Sequence, residues 1–291
     1  MIELMKHAYL VMAHKNDKTF KTLLGLLDDK NNDIFVHMDL KLSDYDADET
    51  ERKIKNARIY HVERKDVRWG GYSQIGVELS LLEKATSIGK YEYYHLISGE
   101  DLPLMKQSEL RRFFEKNKGK EFLDFQSEKF AWSDRVRYWY PFQEKWGRKH
   151  WKITKSLVLL QKPFVRRNKN IEFQKGQNWF SITDDFARYV VMKKDWIRRV
   201  FRKTWCCDEV FLQTVLINSK FKDRVYCDKR SPRSWKNSCC MRYVDWMRGG
   251  PYIFRLEDYD ELMKSGMCFA RKFDAEVDDK IIDKIKTKLS A

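Results

Sequence analysis

The chain has few of the residues that break or stretch a fold. Only 12 glycines and 5 prolines occur in 291 residues, too few for a fibrous, linker-rich or disordered chain. The six cysteines, at 206, 207, 227, 239, 240 and 268, form no C-x-x-C, so zinc spacing is weakly supported. Two vicinal pairs suit a disulfide framework badly. No apolar run reaches the roughly 20 residues of a membrane-spanning helix, and residues 1–13 carry no cleavage pattern. Neither G-x-G-x-x-G nor a P-loop lysine is present, which leaves dinucleotide and ATP sites of those types unsupported. Together these absences predict a soluble, reduced, intracellular protein, with attachment to a membrane surface left open.

What the chain does have is positive charge. Lys and Arg number 58 against 43 Asp and Glu, a net +15. That excess points to nucleic acid, phospholipid headgroups or a phosphorylated small molecule. With 43% hydrophobic and 14% aromatic residues, the chain can bury a core. At 291 residues it is long enough for one large α/β domain or two small ones.

An α/β order is legible from the N-terminus. HAYLVMA (7–13) reads as a buried parallel strand, and Asp17 is placed to cap an amphipathic helix through Phe20, Leu23, Leu24 and Leu27. DIFVHM (33–38) and RIYHV (58–62) follow as strands. Ligands of such sheets bind beyond the carboxyl ends of the strands; by that rule His14 and Asp39, each just past a strand end, face one crevice. The alternatives are a surface turn for His14 and a loop acid or cap for Asp39. Trp69-Gly70-Gly71 allows a tight turn and close backbone approach to a ligand, with Ser73 placed to cap the next helix. YEYYHLI (91–97) is an aromatic strand that runs into Ser98, Glu100 and Asp101, either a crevice wall or an ordinary turn. Further strands are expected at 121–125, 176–183 and 242–246, helices at 107–116, from Asp184 or Asp185 to about Val200, and at 258–263, and an amphipathic helix at the C-terminus.

Residues 126–175 interleave basic and aromatic side chains, in RVRYWYPF (135–142), WGRKHWK (146–152) and the basic Arg166-Arg167-Asn168-Lys169. Nucleic acid, a membrane surface or an acceptor wall that stacks on sugars would each fit, as would a surface helix pair with snorkelling cations.

DEVFLQTVLINS (208–219) organises the chemistry. Asp208 is placed to cap a buried helix and Glu209 to sit in its first turn, beside the positive end of the dipole. A carboxylate kept ionised there can serve as a general base; the bland alternative is that both acids simply begin a core helix. Arg271-Lys272 lies between Phe269-Ala270 and Phe273. Cations between buried residues need an anion, either a phosphate or an internal partner such as Asp274 or Glu276.

Taken in order, AYLVMAH (8–14), IFVHMD (34–39), WGGYS (69–73), YYHLISGEDLPL (93–104), QNWFSIT (177–183), DEVFLQTVLINS, RYVDW (242–246) and FARKFD (269–274) resemble the core-2/I-branching enzyme family, glycosyltransferase family 14, over nearly the whole chain. The family includes branching N-acetylglucosaminyltransferases and peptide O-xylosyltransferases. The resemblance implies a GT-A-like α/β fold with a mostly parallel central sheet flanked by helices and no working metal-binding D-x-D. It also implies inverting transfer from a UDP-sugar, of N-acetylglucosamine or xylose, to a glycan acceptor; a lipid-linked glycan is the acceptor if the 135–152 patch contacts a membrane surface. By the same resemblance Glu209 is the catalytic base and Arg271 and Lys272 hold the diphosphate. His14 and Asp39 match the family's donor-nucleotide positions, Trp69-Gly70 falls in its nucleotide pocket, and Asn178-Trp179 falls where its members contact the acceptor; beside these, Ala13 at its strand end is assigned to the donor nucleotide, and Ser98, Glu100 and Asp101 in their strand-end turn to the acceptor. Arg242, Arg248 and Arg255 are candidates for a further diphosphate contact. No cofactor, metal or nucleic acid is expected. A bacterial cytoplasmic enzyme of surface polysaccharide synthesis is expected, with peripheral contact to the anionic inner face of the plasma membrane as an option. The rival is a basic, non-catalytic protein that binds nucleic acid or membrane. Asp46-Ala47-Asp48 and Asp258-Tyr259-Asp260 are formally D-x-D, but neither follows an apolar strand directly, where a hard divalent ion would need its oxygens.

Overall fold

The computed structural model describes residues 6–126, 133–146, 149–165, 167–227 and 238–290; Gly147, Arg148 and Arg166 of the basic stretches lie outside them. In chain order the strands are β1 (His7–Ala13), β2 (Asn32–Met38), β3 (Arg58–His61), β4 (Tyr93–Ser98), β5 (Asp101–Pro103), β6 (Phe180–Thr183), β7 (Arg242–Val244) and β8 (Phe269–Arg271). The helices of the first part are α1 (Lys18–Leu27), α2 (Ala47–Arg52), α3 (Tyr72–Ile88) and α4 (Gln107–Lys116). Then come α5 (Asp134–Arg137), α6 (Gln143–Trp146), α7 (Trp151–Gln161), α8 (Asp184–Met192), α9 (Lys194–Phe201) and α10 (Phe211–Ile217). The last two are α11 (Tyr259–Lys264) and α12 (Asp279–Ser290).

Five strands form the central sheet in the order β3-β2-β1-β4-β6, with β6 antiparallel and the others parallel. Its strands are apolar on both faces because helices cover both. Alternation along β1 sends Ala8 and Leu10 into one core with Phe35, Leu82, Phe186 and Phe211. Tyr9 and Val11 enter the other with Ile34, Leu23, Phe114 and Ile282. This is the mixed α/β architecture, with a mostly parallel sheet and flanking helices, that the motif order implied.

Strand order reverses between β1 and β4, so their carboxyl ends, Ala13 and Ser98, flank the topological switch point where open α/β sheets place ligands. A second sheet, β5-β8-β7, sits at that end. Antiparallel pairing of β5 with β8 sets Asp101 directly opposite Arg271.

Several local expectations differ. Ser73 is not the cap of α3: the cap position falls on Gly71, which has no side chain to offer. Ser73 instead lies inside the first turn, where its N–H and Oγ bond the Glu144 carboxylate at 2.8 and 2.9 Å. Thr183, not Asp184 or Asp185, accepts the first-turn N–H of α8. The helix expected to reach Val200 is broken at Lys193 into α8 and α9. Residues 121–125 form only isolated bridges through Glu121 and Phe122. Cys227 and Cys239 form a disulfide, contrary to the all-thiol expectation; vicinal cysteines can still pair singly, since Cys240 turns into the core and leaves Cys239 to Cys227. No helix among the described residues is long and apolar enough to cross a membrane.

Candidate active site

A cleft of about 440 Å³ opens beyond the carboxyl ends of β1 and β2, lined by Ala13, His14, His37, Asp39, Lys41, Trp69 and Gln74 among others. That is the size of a small-ligand pocket. The Asp39 N–H bonds the Ala13 carbonyl at 2.8 Å, which ties the two strand ends together. Asp39 is buried, its carboxylate bonded by the Lys41 N–H and paired with the Lys41 ammonium at 3.1 Å. His37, pushed down to about 4 by burial, accepts the Lys65 N–H on Nε2 and is neutral at pH 7. Trp69 is half exposed on the rim. Gly70 next to it has φ +70°, and a Cβ there would meet Cys206 Sγ at 3.1 Å. The positive φ favours glycine at this turn, and the space beside it is tight for any side chain.

Two walls lead from this cleft to the remaining predicted residues. On one side, His14 Nε2 lies 3.5 Å from the Glu100 carboxylate, which meets Lys272 Nζ at 3.0 Å and Arg271 at 3.5 Å. Arg271 also donates to Ser98 Oγ at 2.6 Å and to Asp101 at 3.3 Å, and its guanidinium lies over the Trp179 ring at 4.7 Å. Burial raises the Asp101 carboxyl against the opposing pull of Arg271. Arg271 and Lys272 thus have internal anions, but these are Glu100 and Asp101; Asp274 is engaged by Lys15 at 2.9 Å. Of the five residues expected on the acceptor wall, Ser98, Glu100, Asp101 and Trp179 all touch Arg271. Asn178 is half-buried beside Trp179.

On the other side, Gln74 Oε1 accepts the Gly70 N–H at 2.6 Å, and its Nε2 donates to Asp208 Oδ2 at 3.2 Å. Asp208 is not a helix cap. It sits in a turn before α10, buried, with Oδ1 unpartnered. Burial, and then the charge of Glu209, push its carboxyl up to about 7. Behind it the buried Glu78, one turn on from Gln74 in α3, is raised well above the carboxylate range by burial. Glu209 also lies before the helix rather than in its first turn. Its Oε2 is 2.9 Å from Arg135 Nη1 and 3.1 Å from Lys175 Nζ, and the side chain is 36% exposed. Fixed cations, not a helix dipole, face this carboxylate. The Glu209 carbonyl accepts the Gly176 N–H at 2.9 Å. A Cβ at Gly176 would lie 1.7 Å from the Asp124 carbonyl, so only glycine lets that segment pass.

Two of the upstream arginines have other work. Arg242 is fully buried, bonded to the carbonyls of Cys240, Leu96 and Phe180, and lies over the Phe269 ring at 4.2 Å. Arg248 pairs with Asp245 at 2.5 Å and Asp258 at 2.7 Å. That second pair, with the cap Asp46 gives α2, commits one acid of each formal D-x-D. Three contributors were missed from sequence. Gln74 could have been found by turning one helical step beyond the glycines. Arg135 reads from sequence only as part of a basic patch, and Lys175 carries no signal at all.

A family model described as Core-2/I-Branching enzyme matches residues 7–262. The chain is similar to xylosyltransferase 2 of Rattus norvegicus, 25% identical over 308 residues that cover 96% of this chain and 33% of that protein. It is similar to xylosyltransferase 2 of Homo sapiens, 24% over 302 residues, covering 95% and 33%. Xylosyltransferase sqv-6 of Caenorhabditis elegans is 25% identical over 292 residues, covering 92% and 34%. The chain therefore spans about one third of the length of these relatives. Among solved structures, mouse xyloside xylosyltransferase 1 in its apo form matches with TM-score 0.37 and 8% identity over 91% of this chain and 96% of that one. TarS of S. aureus matches with TM-score 0.28 and 13% identity over 47% and 25%. With a family match that runs from the first strand into α11, this chain belongs to the core-2/I-branching enzymes, a family of glycosyltransferases.

Proposed function

We propose that this chain transfers a sugar, N-acetylglucosamine or xylose, from a UDP-sugar to a hydroxyl of a glycan or lipid-linked glycan, with inversion and without a metal. The observation that carries this reading is one cleft with two chains of contacts leading from its lining: His14 and Glu100 to the Arg271–Lys272 cations, and Gln74 and Asp208 to the turn that holds Glu209. The nucleotide would enter beside Ala13, Asp39, Trp69 and Gly70. A diphosphate arriving at Lys272 would compete with Glu100 for the ammonium, so binding exchanges one anion for another.

The acceptor oxygen attacks the anomeric carbon as the bond to the diphosphate oxygen breaks. Glu209 takes the acceptor's proton, and the departing oxygen keeps the bonding pair. The in-line geometry parallels that of inverting glycosidases, where a base activates the nucleophile on the face opposite the leaving group. Fixed cations aimed at the leaving group stabilise the charge that develops on it, and a guanidinium and an ammonium suit phosphate oxygens. Ser98, Glu100 and Asp101 hold Arg271 in place; Asn178 and Trp179 are the acceptor contacts of this scheme. Synthesis of a bacterial surface polysaccharide is the setting we infer. The test is a hydrolysis panel of UDP-xylose, UDP-N-acetylglucosamine and other UDP-sugars with and without EDTA. UDP release that survives EDTA supports the scheme; release abolished by EDTA and restored by Mn²⁺ refutes its metal-free part.

A further inference from the structure

We propose that the outward face of α7 docks this protein on an anionic phospholipid bilayer. The helix rests on the body through Thr154 and Val158, one turn apart and both buried. At its N-terminal end Trp151 packs on Trp205, with ring centroids 4.3 Å apart. The other side faces solvent with large apolar groups: Ile153 is 51% exposed, Leu159 53%, Leu160 71% and, just past the helix end, Phe164 86%. Scattered exposed apolar residues are ordinary, but several adjoining on one element mark an interaction surface.

The charges beside this face decide what covers it. Lys152 and Lys155 are exposed on the same helix. Lys162 is exposed too and reaches Asp134 at 3.1 Å. An apolar stripe flanked by lysines belongs to helices that lie in the headgroup region with the stripe sunk among the acyl chains. The lysines then select anionic lipid, and the +15 charge of the whole chain acts in the same direction at longer range. A single-stranded nucleic acid would use the cations, but aliphatic Ile153, Leu159 and Leu160 give its bases nothing to stack on.

The place of α7 gives the contact a purpose. Trp205 lies under the Arg135 guanidinium at 5.3 Å, and Arg135 holds Glu209. Three contacts, Trp151 to Trp205, Trp205 to Arg135 and Arg135 to Glu209, therefore join α7 to the carboxylate, which suits an acceptor hydroxyl carried on a lipid. That last step rests on the proposed transfer reaction; the bilayer contact does not.

The experiment is co-sedimentation of the full chain with vesicles of phosphatidylcholine alone and of phosphatidylcholine mixed with phosphatidylglycerol. The mixed vesicles should bind it and the neutral ones should not. Leu160→Glu with Phe164→Glu should weaken binding by about a hundredfold, the loss of two buried apolar side chains. Lys152→Ala with Lys155→Ala should weaken it by about 25-fold, at roughly fivefold per lysine. All four positions are exposed, so Tm and UDP-sugar hydrolysis should not change, and Glu209→Gln should bind vesicles as wild type does. The proposal is overturned if wild type ignores the mixed vesicles, or if the Leu160/Phe164 variant binds them equally well. It is likewise overturned by a dimer that this variant dissociates, which assigns the face to a second copy. Oligonucleotide binding lost with the lysines but not with the apolar pair would assign it to nucleic acid.

Discussion

Replacing Glu209 by glutamine separates chemistry from stability. Glutamine keeps the shape and one oxygen for Arg135, but it cannot take a proton. Loss of a general base costs about 10²–10⁴-fold in kcat, or roughly 3–5 kcal/mol of barrier. The structural cost is smaller. Glu209 is 36% exposed and pairs with two cations, each 14% exposed. Near-surface pairs contribute about 0–1 kcal/mol each, so removing the charge should cost about 1–2 kcal/mol, with Arg135 and Lys175 left facing one another. For a domain of this size that lowers Tm by roughly 2–6 °C. The assay is UDP release at saturating UDP-sugar, with UDP affinity measured by calorimetry on the same sample. A kcat lost by at least a hundredfold with unchanged UDP affinity is the expected result. A variant within a few-fold of wild type, or one whose activity falls only in step with UDP binding, would falsify the role of Glu209.

The two cations should behave differently. Lys272→Ala removes one contact, to Glu100 at 3.0 Å, and should lower UDP affinity at least tenfold with little change in Tm; an unchanged affinity counts against a diphosphate there. Arg271→Ala takes the cation from the buried Asp101 and leaves its carboxylate only the Ser98 N–H and hydroxyl; breaking a buried pair costs about 3–5 kcal/mol, so Tm should drop by about 10 °C. An undiminished Tm would mean that Asp101 does not need its partner. Asp208→Asn tests pH dependence. The folded carboxyl is raised to about 7, so its contribution to stability is fully present below the unfolded value near 4 and lost as pH rises through 7. Asparagine removes that loss, worth up to about 4 kcal/mol. The variant should therefore gain Tm over wild type between pH 5 and 8, and parallel curves would contradict the raised value.

The first hundred residues were the most legible because local pattern and tertiary role agree there. Continuous apolar runs made β1 and β2, Asp17 caps α1 as its spacing suggested, and the strand-end rule placed His14 and Asp39 on one cleft. The Asp208–Glu209 turn misled because a cap and an acid buried just before a helix look alike in sequence. Only tertiary contacts, Gln74 on Asp208 and two cations on Glu209, tell them apart. Arg271 was recognised as a cation needing an anion, but the β5–β8 register, which no local pattern encodes, chose Asp101 and Glu100 over the nearby Asp274. Lys175 was invisible because it comes from a loop whose path is set by the close passage of Gly176 against Asp124.

The position of UDP in a crystal grown or soaked with it is the decisive measurement. The diphosphate should lie against Arg271 and Lys272, with the Lys272 ammonium turned from Glu100 to phosphate oxygen, the uracil beside Asp39 and Trp69, and the Glu209 carboxylate open toward the anomeric side. A diphosphate held by a metal ion, or lying away from both the 271–272 pair and Glu209, would contradict the proposed mechanism.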